Sequence, residues 1–144
     1  MSKIIEIGND HGGYELKLEI VKHLTDRGFT VKDMGTNTAD SCDYPTYAKL
    51  VTDALVAKEA ELGILVCGTG IGMSLAANKV DGIRAALCAD CFSAQATREH
   101  NDANVLCLGA RTLGAGLALM ITDIFVDTPF SNDERHIRRI SMYS

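Results

Sequence analysis

The chain has 144 residues, a length that suits one domain burying about two-thirds of the surface its unfolded form exposes. Hydrophobic residues at 47% and charged residues at 23% exclude disordered, fibrous and membrane-spanning classes. A net charge of −5, with no tryptophan, argues against nucleic acid or an anionic membrane as partner, and the C-terminal run Arg135-His136-Ile137-Arg138-Arg139 stands out from that acidic background.

The N-terminus reaches a charge at Lys3, so it is not read as a secretory signal. Residues 3–8 (KIIEIG) form a predicted buried strand, and residues 9–13 a loop. A helix follows, with Leu16, Ile20, Val21 and Leu24 on its inner face. Glu15, Lys17, Glu19, Lys22 and His23 are expected to face out, His23 being merely solvated. Gly28 stops that helix, residues 29–33 alternate like a strand, and residues 34–44 are irregular. Pro45 opens a second helix whose inner face is expected to carry Tyr47, Leu50, Val51, Ala54 and Leu55. Residues 62–67 (LGILVC) are the most strand-like run, followed by a glycine loop and a small-residue helix through Asn78. Residues 84–88 and 104–108 are the fourth and fifth strands, with a helix over 92–100 between them. Leu117, Met120, Ile121, Ile124 and Phe125 mark one face of a helix that Thr128-Pro129 ends, and a short last helix carries the basic run.

Strands and amphipathic helices that alternate five times predict a single α/β domain over residues 1–144. Its expected form is a Rossmann-like, flavodoxin-like three-layer sandwich around a five-stranded parallel sheet. Ligands of such sheets bind beyond the carboxyl ends of the strands.

Cys67-Gly68-Thr69-Gly70-Ile71-Gly72 is the sharpest chemical signal. Its glycines let backbone N–H groups turn towards an anion at a helix start. Met73 stands where the dinucleotide fingerprint needs its third glycine, and the Lys-Ser/Thr end of a P-loop is missing, so the loop reads as a cradle for an oxyanion or enediolate. Cys67 is either a buried small hydrophobe or a thiol activated by the helix start. Asp10-His11 after the first strand is either a proton-handling or hydroxyl-binding pair, or a turn cap. His100 is either functional or a histidine at a helix C-terminus favoured by the dipole. Arg135 and Arg139 are four apart and suit a phosphate dianion. The five cysteines, an odd number, read as reduced thiols of a cytoplasmic protein. Cys88-Ala89-Asp90-Cys91 lacks a second ligand pair, and Cys42, Cys88, Cys91 and Cys107 read as packing residues.

The chain resembles the type B ribose-5-phosphate isomerases, a family that also includes the galactose-6-phosphate isomerase subunits. The matching pieces are Asp10-His11-Gly12-Gly13-Tyr14, Asp43-Tyr44-Pro45, the 67–72 loop, Ala77-Asn78-Lys79, Gly82-Ile83-Arg84-Ala85, Arg98-Glu99-His100-Asn101-Asp102-Ala103-Asn104 and Arg135-His136. The resemblance implies an aldose–ketose isomerase of a phosphorylated sugar that needs neither metal nor other cofactor. It implies Cys67 as the base that moves a proton between carbons 2 and 1. Thr69 and the backbone of Gly68, Gly70, Ile71 and Gly72 would stabilise the enediolate. His100 would open the sugar ring with help from Asp10, Asn101 would bind hydroxyls, and His11, Arg135 and Arg139 would hold the phosphate. It also implies a homodimer or a dimer of dimers with the site at the subunit interface, so that groups such as His100 or Arg111 come from the partner. Asn132-Asp133-Glu134 departs from the glycines usual before Arg-His in the family, and Asn9 stands where a small or sulfur residue is usual. Ribose 5-phosphate is the expected sugar, with allose or galactose 6-phosphate, or a non-catalytic sugar-phosphate-binding subunit, as alternatives.

Overall fold

The short apolar runs of the sequence assemble into one all-parallel five-stranded sheet in the computed structural model, which describes residues 3–144. The strands are β1 (Ile4–Asn9), β2 (Thr30–Asp33), β3 (Leu62–Cys67), β4 (Ala85–Leu87) and β5 (Val105–Gly109). The helices are α1 (Tyr14–Asp26), α2 (Tyr44–Val56), α3 (Ile71–Ala77), α4 (Cys91–Asn101), α5 (Ala115–Asp127) and α6 (Glu134–Ser141). A single 3-10 turn, His11–Gly13, joins β1 to α1. The strand order is β2-β1-β3-β5-β4. Its first three places match the flavodoxin-like order, while β5 lies between β3 and β4, where that order would set β4 beside β3. The chain steps from β1 to β2 on one side and then crosses back over β1 to place β3 on the other. The crevice for a ligand therefore falls between the carboxyl ends of β1 and β3.

Side-chain alternation splits the core into two layers. Ile5, Ile7, Ile64, Leu106 and Leu108 pack against α1, α4 and α5 through Leu16, Ile20, Ala94, Ile121 and Phe125. Leu65, Cys67 and Cys107 point the other way, onto α2 and α3 through Val51, Leu55 and Met73. All six residues of β3 are buried, which is why that strand reads as an unbroken apolar run. Burying each large aliphatic side chain contributes about 1.5–3 kcal/mol.

Two helix faces are rotated from the expected ones. α2 buries Ala48, Val51, Thr52, Ala54 and Leu55 and leaves Leu50 39% exposed. A Cβ at Gly8 or Gly63 would lie within 3.0 Å of Val51, so this helix sits close on the sheet with small residues at the contact. In α5 the buried face is Ala118, Ile121, Thr122, Phe125 and Val126, and Leu117 and Met120 turn outward. Periodicity counted apolar positions without weighing side-chain size. Two α1 residues expected in solvent are also engaged. Lys17 is fully buried, and His23 Nε2 lies 2.8 Å from Asp123 of α5, which Arg27 also contacts. Among the described residues no helix is long and apolar enough to cross a membrane.

Candidate active site

The carboxyl ends of β1, β3 and β5 lie level, because Asn9 pairs with Val66 and Cys67 with Gly109. Cys67 ends β3 on the α2/α3 face and is 5% exposed. The chain then turns at Gly70, whose φ of +79° is in the left-handed region that favours glycine. This turn aims the Gly70 N–H at Cys67 Sγ, 3.1 Å away, a donor suited to a sulfur carrying negative charge. Thr69 is exposed, and its Oγ1 accepts the Ile71 N–H at 3.3 Å. α3 has only seven residues, so the local N–H groups matter more here than a long helix dipole.

The β1 loop closes against this cradle backbone to backbone. A Cβ at Gly13 would stand 2.5 Å from the Val66 carbonyl oxygen, so only glycine permits this approach. Asp10 Oδ1 accepts both the Gly12 and Gly13 N–H groups, at 2.9 and 3.2 Å. The turn-cap reading of Asp10 is thus realised through one oxygen, and Asp10 Oδ2 has no partner among the described residues. The Cys42 N–H donates to His11 Nδ1 at 3.3 Å. That bond requires a bare Nδ1, so a neutral His11 carries its proton on Nε2. Arg111 follows β5, and its backbone N–H bonds the Gly68 carbonyl at 2.9 Å. Its side chain lies alongside Gly68 and, with His11, Gly12 and Tyr14, lines a cavity of about 500 Å³. Arg111 therefore belongs to the same chain's cradle. Asp10, His11, Cys67, Gly68, Thr69, Gly70, Ile71, Gly72 and Arg111 thus gather at one edge of the sheet.

The remaining candidates gather at the other edge. His100 and Asn101 end α4 just before β5, and both are exposed. The His136 ring of α6 lies 4.5 Å from that of His100, and Ser131 Oγ sits 2.9 Å from His136 Nδ1. Burial, then His100 and Arg135, hold His136 below the ordinary histidine value; Asp133 pulls the other way, and Arg139 adds the smallest downward push. Arg135 and Arg139 are exposed on α6. From the Gly63/Val105 pair to the Cys67/Gly109 pair is four strand steps, about 13 Å at ~3.3 Å per residue. One copy of the chain does not bring His100, Asn101, Arg135 and Arg139 to Cys67.

The Asn132-Asp133-Glu134 departure has a local explanation. Asn132 takes the left-handed φ of +58°, a conformation asparagine tolerates better than most residues. Asp133 caps α6 by accepting the Arg135 N–H at 3.0 Å, and Glu134 lies in the first turn, where the dipole favours it. These acids serve the helix start, although Asp133 Oδ2 also stands 3.5 Å from Arg135 Nε.

The packing reading suits two further cysteines. Burial pushes the Cys88 thiol up to about 11 and the Cys107 thiol further still. All five cysteines are free, and among the described residues no three His, Cys, Asp or Glu side chains converge as a metal site. A larger cavity of about 810 Å³ beside β4 includes Asn101, but its Arg84 is already bonded to Asn101 O, Asp102 and Ser144. His136 and Tyr44 also line these two regions, His136 beside His100 and Tyr44 beside Gly72. A Cβ at Gly72 would meet the Tyr44 ring at 2.7 Å, so Tyr44 walls the glycine loop. Neither contact leaves a local pattern, since 28 and 36 residues separate the partners.

The profile of the Ribose/Galactose Isomerase family matches residues 5–143. Ribose-5-phosphate isomerase B of Escherichia coli K12 is 48% identical over 138 residues, covering 96% of this chain and 92% of that one. A galactose-6-phosphate isomerase subunit of Clostridium acetobutylicum is 40% identical, covering 88% of this chain and 73% of that one. Among solved structures, a ribose 5-phosphate isomerase of Thermotoga maritima superposes with a TM-score of 0.96 at 47% identity, over 99% of this chain and 98% of that one. The type B ribose 5-phosphate isomerase of Trypanosoma brucei gives 0.96 at 45%, over 99% and 97%.

Proposed function

Because this chain belongs to the Ribose/Galactose Isomerase family, we propose that it interconverts ribose 5-phosphate and ribulose 5-phosphate at a site completed by a second copy of itself. The observation that carries this reading is the cradle at Cys67. A sulfur at a strand end, with the Gly70 N–H 3.1 Å away and the Gly12–Gly13 turn packed beside it, offers a base at the start of a glycine loop whose backbone a ligand can approach closely.

In this reading the Cys67 thiolate removes the proton on carbon 2 of the open-chain aldose. The C2–H electron pair becomes the C1–C2 double bond, and the carbonyl π pair moves to O1. Thr69 Oγ1 and the N–H groups of residues 68–72 stabilise this enediolate, whose charge develops only as the proton leaves. The Cys67 thiol then returns the proton to carbon 1 while the O2 proton passes to O1, giving the ketose. Asp10, through its free Oδ2, assists at the ring oxygen or hydroxyls. His11 and Arg111 bind the phosphate from one side. His100 of the partner subunit opens the ring, Asn101 of the partner subunit binds hydroxyls, and Arg135 and Arg139 of the partner subunit close on the phosphate.

Two observations favour a homodimer built this way. The cradle and the α4/α6 cluster lie on opposite edges of one chain, so each chain offers two complementary half-sites. An apolar surface also flanks the cradle: Ile71, Leu75, Leu87 and Phe92 are 50%, 63%, 41% and 79% exposed. A second copy that covers it would also dry the site, which strengthens every electrostatic contact inside. Five uncapped thiols and a net charge of −5 suit a reducing cytoplasm.

The test is the formation of ribulose 5-phosphate from ribose 5-phosphate by the purified chain. Activity is expected for the wild type, with turnover lower by about 100-fold or more in Cys67→Ala. Near-normal turnover in Cys67→Ala would overturn the thiol's role. A second reading, isomerisation of a hexose 6-phosphate, draws support from the likeness to a galactose-6-phosphate isomerase subunit. A preference of at least about tenfold in kcat/KM for allose or galactose 6-phosphate would select it.

A further inference from the structure

We propose that Lys17 is a positioning residue for this site: its buried ammonium fixes the start of the 34–43 loop, whose end holds His11 in the tautomer that offers Nε2–H to the ligand's phosphate. The proposal rests on the sugar-phosphate reading for the identity of the ligand, and on geometry alone for the tautomer.

Lys17 lies on α1 yet has no exposed side-chain surface. A lysine without exposure loses all its water, and this one regains its bonds from a single short segment. Its Nζ lies 3.1 and 2.9 Å from the two oxygens of Asp33, 3.0 Å from Thr36 O and 3.1 Å from Asn37 Oδ1. Three residues within a five-residue stretch thus converge on one ammonium. Asn9, also fully buried, reinforces the same stretch. Its Nδ2 donates to Thr36 O at 3.3 Å and to Asp10 O at 2.8 Å, and its backbone carbonyl accepts the Thr36 N–H at 3.3 Å. The segment after β2 is therefore tied to both α1 and the end of β1.

The loop then returns across His11. Residues 37–40 form bends with few bonds of their own, and two residues further on the Cys42 N–H donates to His11 Nδ1. A backbone N–H can only donate, so Nδ1 is the acceptor and the proton of neutral His11 sits on Nε2. That nitrogen is the one a phosphate oxygen needs as a donor beside Arg111, which lines the same cavity. If the loop drifts, the Nδ1–H form becomes accessible and the ring presents a lone pair where the dianion needs a hydrogen. Lys17 acts on the ligand only through this loop. The competing explanation is that α2, which begins at Tyr44, holds Cys42 in place without help from Lys17.

The experiment compares wild type with Lys17→Met, which keeps the aliphatic stem and removes the ammonium. Side-chain nitrogen NMR of the ligand-free protein reads the His11 tautomer, kinetics with ribose 5-phosphate read KM and kcat separately, and thermal unfolding reads stability. The wild type is expected to show bare Nδ1 and protonated Nε2, and Lys17→Met a mixture of tautomers. KM should rise about 10-fold while kcat changes less than about threefold, because remote phosphate binding is what is lost. Should Lys17→Met not fold, the double variant Asp33→Asn with Asn37→Ala loosens the same loop with the lysine retained, and is expected to shift tautomer and KM in the same direction. A wild type with the proton on Nδ1 would overturn the proposal. So would a folded variant with a lower melting temperature but an unchanged tautomer and KM, since that is what a purely structural lysine gives. A wild type inactive on ribose 5-phosphate would instead overturn the functional reading, and the tautomer arm would still decide the role of Lys17.

Discussion

Gly70→Ala is the substitution in which backbone, packing and chemistry meet most closely. Gly70 sits at φ +79°, where an alanine costs about 1–2 kcal/mol relative to glycine. The added Cβ would also stand 2.5 Å from Leu87 Cδ1, 3.0 Å from the Leu108 carbonyl carbon and 3.2 Å from its oxygen. Leu87 is 41% exposed and can swing away, but the β5 backbone cannot, so relief must come from the loop itself. Overpacking of this kind adds about 1–3 kcal/mol, for a total of about 2–5 kcal/mol. In a chain of this length that is a melting-point drop of roughly 6–15 °C. Turning the loop also swings the Gly70 N–H off Cys67 Sγ and disturbs the anion donors. Loss of one such donor costs about 100-fold or more in turnover. The assay is urea or thermal unfolding of the purified variant alongside kcat on ribose 5-phosphate, measured where the variant is fully folded. A variant as stable as wild type would refute the strain argument. One that is destabilised yet keeps its kcat would refute the link from Gly70 to the sulfur.

Other expectations follow from buried titrating groups. Glu6 lies on β1, 3% exposed, with Oε2 unpartnered, and burial raises its pKa, opposed by Lys32 and assisted by Glu59. A raised folded value favours folding fully below the unfolded value of 4.5 and loses that contribution as pH rises through the folded value, so Glu6→Gln should melt higher than wild type at pH 8 and near it at pH 4. His136 has the opposite sign: its lowered value supports the fold above the ordinary 6.5 and that support is lost as pH falls through the lowered value. Amide exchange in α6 should therefore speed up at acid pH, as a charged His136 repels Arg135, Arg139 and His100, and a pH-independent exchange pattern, after correction for intrinsic rates, would contradict this. Iodoacetamide should inactivate through Cys67, substrate should protect, and Cys88 and Cys107 should stay unmodified in the folded protein.

Much of this fold was legible because its strands are short apolar runs divided by glycine and its helices carry strong periodicity. The 67–72 loop was legible as a tight strand-to-helix turn for a physical reason: its close approach to Leu108 and Tyr44 needs small residues in sequence, and Gly68, Gly70 and Gly72 stand together. Lys17 was not. Its place in the helical pattern is a solvent position, and only the return of residues 33–37 over α1 buries it. The rotated faces of α2 and α5 were hidden because Ala48 and Ala118 weigh little in a count of apolar residues, although close packing on the sheet favours them. The separation of His100 from Cys67 depends on strand direction. Both lie beside strands in sequence, but one precedes β5 and the other ends β3, so they face opposite edges. Asp10 was legible as a turn cap, because an aspartate straight after a strand and before two glycines can accept the N–H groups of that turn.

The most direct test of a site shared between two copies is to mix two inactive variants. Cys67→Ala destroys the cradle half and His100→Ala the α4 half. In a dimer that holds one of each, one site carries both substitutions and the other carries neither. After unfolding and refolding an equimolar mixture, half the dimers are mixed and half of their sites are intact, so activity should return to about a quarter of the wild-type value. Each variant refolded alone should remain inactive. A mixture no more active than its parents, with mixed dimers verified by mass, would mean that Cys67 and His100 act within one chain or not together at all, and would contradict the account.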